Sequence, residues 1–258
     1  MTIQEWKEQC SKMGYTAREI SDLSGVPIET VRAVVWGTEI PKFKLWERLD
    51  ETLKQATSNM IREEAVAYYV QDDEREYAIE DYLAIPNGIR VELIDGKIYD
   101  MATPTTIHQA LLVKLVTQLE NYIIKNKGQC VSFVAPLDVK LGEDNKTMVQ
   151  PDIFVVCDRD KLNKGNIIDC VPDFVIEILS PSTRYKDSGL KMNKYKDTGV
   201  KEYWLVDLEQ KRVVVYEFAH TAIPQIYGFD SKVPVGIFGN QCEVDFTEIY
   251  QEIKFMFE

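Results

Sequence analysis

The segment Phe174-Val175-Ile176-Glu177-Ile178-Leu179 sets one carboxylate inside an otherwise apolar run. Six such residues read as a strand. Continuous rather than alternating apolarity reads as a strand buried on both faces, as in layered α/β domains. A lone buried carboxylate is strongly unfavourable unless it is paired or metal-bound. Glu177 is therefore either a cation ligand or a residue on the wet face of an edge strand, and the apolar neighbours on both sides favour the ligand. If it stands unpaired, its removal is expected to stabilise the metal-free protein while abolishing metal binding.

A second apolar strand, Pro151-Asp152-Ile153-Phe154-Val155-Val156, carries an acid at its mouth. Pro-Asp is a common turn dipeptide, but carboxylates on adjacent strands can share one divalent cation. The remaining elements fit a layered domain. Asp95-Gly96 between Arg90–Ile94 and Lys97–Met101 is a type I′ hairpin signature. Ile107, Leu111, Leu115, Leu119, Tyr122 and Ile123 recur at helical spacing over 107–126, and Gly128 follows. Strand-like runs cover 130–134, 137–141, 202–207 and 212–216, with a helix over 187–198. Helix, strands, helix, strands predicts a mixed central sheet with helices on its faces. Glu92, by itself, reads as surface alternation in a strand, and Lys191 as part of a solvated helix face.

Residues 1–54 read as all-helical. Trp6, Cys10 and Met13 share an apolar face, and Gly14 stops that helix. Thr16 with Glu19 forms a capping-box pattern, Ile20 and Leu23 follow, Ser24-Gly25-Val26 makes a turn, and Pro27 opens a helix ending near Trp36-Gly37. A last helix carries Phe43, Leu45, Trp46, Leu49 and Leu53. Short helix, glycine turn, second helix resembles the Cro/repressor-type helix-turn-helix family, in which the second helix enters the DNA major groove. The resemblance implies Ile28, Glu29, Thr30 and Arg32 as DNA-facing positions, with Arg32 the strong reader among them. A helical dimerisation or docking module is the plainer alternative. Residues 55–76 are expected to be a helical linker, and 77–258 the α/β domain.

The net charge of −12 excludes a generic polyanion binder. The excess is uneven, about −1 over residues 1–60 and −11 over the rest. Contact with nucleic acid then depends on local basic groups or on cations that offset the carboxylates. Five scattered cysteines without a C-x-x-C pair argue against a disulfide framework and against a thiolate zinc site. With two histidines, His108 and His220, the acids are the main chemical resource, and they suit hard cations such as Mg²⁺. No apolar run reaches the ~18–20 residues of a membrane-spanning helix, and no signal-peptide pattern opens the chain. A cytosolic protein that contacts no membrane is expected.

Glu92-Leu93-Ile94-Asp95-Gly96-Lys97-Ile98, Thr103-Pro104, His108 and Gln150-Pro151-Asp152 resemble the Uma-two-type family of the restriction-endonuclease-like superfamily. So do Glu177-Ile178-Leu179-Ser180-Pro181-Ser182-Thr183, then Asp187 with Lys191 and Tyr195, and Gly199 through Asp207. The resemblance runs from about Tyr77 onward. It implies a restriction-endonuclease-like mixed sheet flanked by helices, behind a small all-α helix-turn-helix domain. It implies Asp152 and Glu177 as metal-binding acids for Mg²⁺ or Mn²⁺, the Ile178 carbonyl as a further ligand, and Glu92 as an accessory acid. The superfamily lysine falls two residues after the second acid, where this chain has Leu179. Its function is expected at Lys191, with Lys194 as the fallback and His108 as an auxiliary residue. The implied activity is metal-dependent endonucleolytic hydrolysis of DNA, probed by metal titration with plasmid, with a homodimer expected. A non-enzymatic DNA-binding regulator and an RNA-directed nuclease are the competing readings.

Overall fold

The computed structural model describes residues 2–12, 15–38, 40–59, 75–86, 88–162, 165–180, 184, 186–218, 220 and 223–257. Met13, Gly14, most of the expected linker and Pro181-Ser182-Thr183 lie outside the described residues. The chain forms two compact units, Met1–Met101 and Ala102–Glu258.

The first unit opens with α1 (Ile3–Lys12), α2 (Ala17–Ser24), α3 (Ile28–Trp36) and α4 (Phe43–Asn59). Thr16 and Glu19 form the reciprocal capping box at the start of α2. Gly25 ends α2 at φ 66 and Gly37 ends α3 at φ 75, a left-handed conformation that glycine adopts without steric cost. Trp6, Ile20, Val26, Val31, Val34, Trp46 and Leu49 are buried together. Trp6 meets Trp46 edge to face at 6.1 Å, and its indole N–H donates to the Leu49 carbonyl at 3.1 Å. Each large apolar side chain so buried contributes ~1.5–3 kcal/mol. The unit closes with α5 (Ile79–Leu83) and the hairpin β1 (Val91–Ile94) and β2 (Lys97–Asp100). Asp95 and Gly96 both take positive φ between the paired Ile94 and Lys97, as the type I′ reading requires. The Phe43 amide donates to the Asp100 carboxylate at 2.9 Å and ties α4 to the hairpin.

The second unit begins with α6 (Thr106–Lys125), followed by β3 (Val131–Val134), β4 (Asp138–Lys140), β5 (Met148–Val149), β6 (Ile153–Val156), β7 (Ile167–Ile168) and β8 (Phe174–Leu179). After β8 come a π-helical turn (Lys186–Lys191), α7 (Met192–Thr198), β9 (Glu202–Asp207), β10 (Arg212–Glu217), β11 (Gln225–Gly228), β12 (Lys232–Val235), β13 (Cys242–Asp245) and α8 (Phe246–Ile253). Six strands form one mixed sheet in the order β11-β10-β9-β8-β6-β3. β8 and β9 are parallel and the helical segment between them is the crossover that a parallel pair needs. Phe174, Ile176 and Ile178 join the core cluster with Leu111, Leu115 and Leu119 of α6 and Phe246 and Ile249 of α8. Period-two alternation then directs Val175, Glu177 and Leu179 to the opposite face. That face packs α7, where the Tyr195 ring lies tilted against Tyr203 at 5.1 Å.

The cysteine expectation needs a correction, because Cys130 and Cys157 form a disulfide. β3 pairs β6 with Val131 opposite Val156, and one further rung brings the two cysteines face to face. Spacing along the chain hides a partner set by strand register. Cys10, Cys170 and Cys242 are free, and burial pushes the Cys10 thiol up to about 11. Among the described residues no helix is long and apolar enough to cross a membrane.

Candidate active site

β8 is an interior strand, flanked by β6 and β9, and all six of its residues are buried. Glu177 therefore has no wet face. Its Oε1 lies 2.5 Å from Lys191 Nζ and accepts a hydrogen bond from the Tyr195 hydroxyl at 2.9 Å. The side chains of Lys191 and Glu177 are 3% and 4% exposed, so the lysine is not part of a solvated helix face. Asp187 stands 3.7 Å from the same ammonium. Asp187, Lys191 and Tyr195 follow each other at intervals of four, which puts them on one helical stripe. Asp187 and Tyr195 stand with Lys191 in the family resemblance, which assigns a role to the lysine alone. Tyr203 donates from its hydroxyl to the Asp187 carbonyl at 3.0 Å. Its phenol is pushed well above the ordinary tyrosine value, first by burial and then by the charges of Glu177 and Asp187.

Asp152 precedes β6. Ile153 pairs with Ile176, and continuing that antiparallel register by one residue sets Asp152 opposite Glu177. Asp152 Oδ2 accepts from the Ile178 amide at 2.8 Å and faces His108 Nε2 at 3.1 Å. Ile178 thus touches one acid through its amide and follows the other in sequence. Leu179, at the usual lysine position, is buried opposite Asp207 of β9. Lys194 pairs with Asp144 at 2.8 Å. Burial works to raise the Asp144 carboxyl, but the Lys194 ammonium and the Lys146 amide outweigh it and hold it below its ordinary value.

Glu92 belongs to the first unit and is fully buried in β1, so surface alternation does not describe it. The four positions expected to face DNA, Ile28, Glu29, Thr30 and Arg32, are all on α3. Glu29 is exposed and Ile28, Thr30 and Arg32 are partly buried. Arg32 pairs with Glu29 at 2.9 Å and its guanidinium lies 6.0 Å from the Trp36 ring centre.

No group of three or more His, Cys, Asp or Glu side chains among the described residues is arranged to hold a metal ion. Asp152, Glu177 and the Ile178 main-chain carbonyl would nevertheless offer only hard oxygen donors, the chemistry that Mg²⁺ or Mn²⁺ takes. Both described partners of Asp152 engage Oδ2, which leaves Oδ1 to a ligand. The residues fit such a cation.

The block ending β9 serves the fold. Glu202 accepts from the Trp204 indole at 2.7 Å and from the Ile237 amide at 2.8 Å; burial raises its carboxyl and these donors partly offset that. Asp207 accepts from both terminal nitrogens of Arg184, at 2.6 and 3.0 Å. Burial acts to raise the Asp207 carboxyl, yet Arg184 and the Gln210 amide hold it below its ordinary value. A depressed carboxyl contributes stability above the unfolded value of about 3.9 and loses it as pH falls through the lower folded value. Wild type should exceed Asp207→Asn by about 1.5–3 kcal/mol near neutrality. That gap should narrow below about pH 4 in urea titrations, and a constant gap would contradict the assignment.

A mixed sheet bearing acids on adjacent strands and a lysine in the crossover after the second defines a restriction-endonuclease-like α/β protein. The crystal structure of a putative nuclease belonging to DUF820 from Anabaena variabilis shares this fold, with a TM-score of 0.56 at 23% identity over 67% of this chain and 97% of that one. Residues 79–235 match the model of the Uma2 family, described as putative restriction endonuclease, and the chain belongs to that family. The uncharacterized protein slr1290 of Synechocystis sp. is 30% identical over 127 residues, which cover 48% of this chain. The match spans 64% of that relative's length.

Proposed function

We propose that this protein is a metal-dependent endonuclease that hydrolyses phosphodiester bonds in DNA. The observation that carries the reading is that Asp152 accepts from the amide of Ile178, the residue after Glu177, while the Lys191 ammonium is buried against Glu177. Asp152, Glu177 and the Ile178 carbonyl would hold Mg²⁺ or Mn²⁺. When bound, such a cation supplies Lewis-acid polarisation of the phosphate and lowers the pKa of its water. Lys191 supplies positive charge where negative charge grows on the phosphate, and its contact with Glu177 fixes that charge in place.

The N-terminal helices support DNA recognition or dimerisation. α2 and α3 meet through the left-handed Gly25 turn, and Arg32 and Thr30 lie on α3. Arg32 is the residue to test for DNA contact. A two-fold arrangement suits both duplex cutting and helix-turn-helix binding, so the active form is a homodimer.

The test is a titration of Mg²⁺ and Mn²⁺ into the full chain with plasmid and labelled RNA in parallel. Metal-dependent nicking or linearisation of the plasmid is expected. Binding to DNA without cleavage under any metal makes the protein a regulator, and cleavage confined to RNA changes the substrate class.

A further inference from the structure

The structure assigns His108 a positioning role toward Asp152, an inference that rests on the metal-dependent reading above. An ionised carboxylate only accepts hydrogen bonds. Asp152 Oδ2 takes the Ile178 amide at 2.8 Å, so the His108 ring, whose Nε2 stands 3.1 Å from the same oxygen, is the second donor. Two donors on one oxygen fix the rotation of the carboxylate and turn Oδ1 to the site.

The main chain that carries the ring is itself held. His108 lies in the first turn of α6, where its amide donates to Thr105 Oγ1 at 3.3 Å. The residue is 8% exposed. Its Nδ1 is buried with no hydrogen-bond partner among the described residues. Burying a bare polar atom is unfavourable, and a side chain needed only for packing would carry none. The orphaned Nδ1 is explained if the ring is there for Nε2. Groups that hold a metal ligand from behind typically matter by about 10–100-fold in metal affinity.

The full chain labelled with ¹⁵N in its imidazoles provides a metal-free readout. There are two histidines, and the exposed His220 is an internal reference. At one fixed pH, His108 Nε2 should be protonated, and its signal should move in Asp152→Asn while that of His220 stays. Calorimetry with Mn²⁺ supplies the second readout. His108→Leu, which fills the space without a donor, should bind about 10–100-fold more weakly, and His108→Gln, which returns an Nε2 donor, should recover to within about threefold of wild type. A bare Nε2 in the wild type overturns the inference. So does Mn²⁺ binding by His108→Leu at wild-type strength. Should His108→Leu misfold, a folded His108→Gln that loses tenfold or more overturns it as well. A wild type that takes up no Mn²⁺ overturns the metal reading instead. The imidazole signals then decide the contact: a protonated Nε2 responsive to Asp152 supports it, and a bare one refutes it.

Discussion

Glu177→Ala lowers the stability of the metal-free protein by about 3–5 kcal/mol. Glu177 and Lys191 meet at 2.5 Å with side chains almost wholly buried. Removing the carboxylate leaves an ammonium in a low-dielectric interior, with Asp187 at 3.7 Å as a poorer partner. The Tyr195 hydroxyl loses its acceptor at the same time. This reverses the sequence-based expectation that deleting a lone buried charge would stabilise the chain, because the charge is not alone. Removing both charges should cost much less than removing one, since an apolar pair of similar volume often replaces a buried ion pair at little penalty. Equilibrium urea unfolding of wild type, Glu177→Ala, Lys191→Met and Glu177→Leu/Lys191→Met closes the cycle. A wild-type midpoint for Glu177→Ala would refute the buried pair.

The strands that carry the acids were legible because burial on both faces writes itself as unbroken apolarity, and Glu177 and Asp152 stand out against it. The Asp95-Gly96 hairpin was legible because a two-residue turn is a local device. Lys191 was harder. Its neighbours Asn193, Lys194 and Lys196 make the segment look solvated, and the stripe of Asp187, Lys191 and Tyr195 is buried only because the sheet lies beneath it. The family resemblance, not the local pattern, pointed to that lysine. Residues 225–253 drew no reading, although Phe246, Ile249 and Ile253 recur at helical spacing. Their partners are remote: the Asp245 amide donates to Gln118 at 2.7 Å. The Cys130–Cys157 bridge failed to appear for the same reason, since register across strands is not visible in spacing.

Asp152→Asn should separate chemistry from stability, where Glu177→Ala mixes them. Asp152 is partly exposed and its Oδ2 receives a backbone amide and an imidazole. Asparagine has the same shape and keeps one carbonyl oxygen for those donors. The atom in the Oδ1 position becomes an NH₂ group, which donates where a cation needs an acceptor. The thermal midpoint should therefore stay near that of wild type, while Mn²⁺ binding disappears from calorimetry. Loss of about 4 kcal/mol of transition-state charge stabilisation corresponds to about three decades in rate. Plasmid cleavage at saturating Mg²⁺ should fall by that factor, with DNA binding kept. Cleavage within about tenfold of wild type, equivalent to under 1.4 kcal/mol, would remove Asp152 from the catalytic set. Asp152, just before β6, and Glu177, inside β8, differ in what holds them. The first is clamped on one oxygen by a backbone amide and an imidazole, and the second is paired with a buried lysine. Variants at the two positions should consequently fail in different ways.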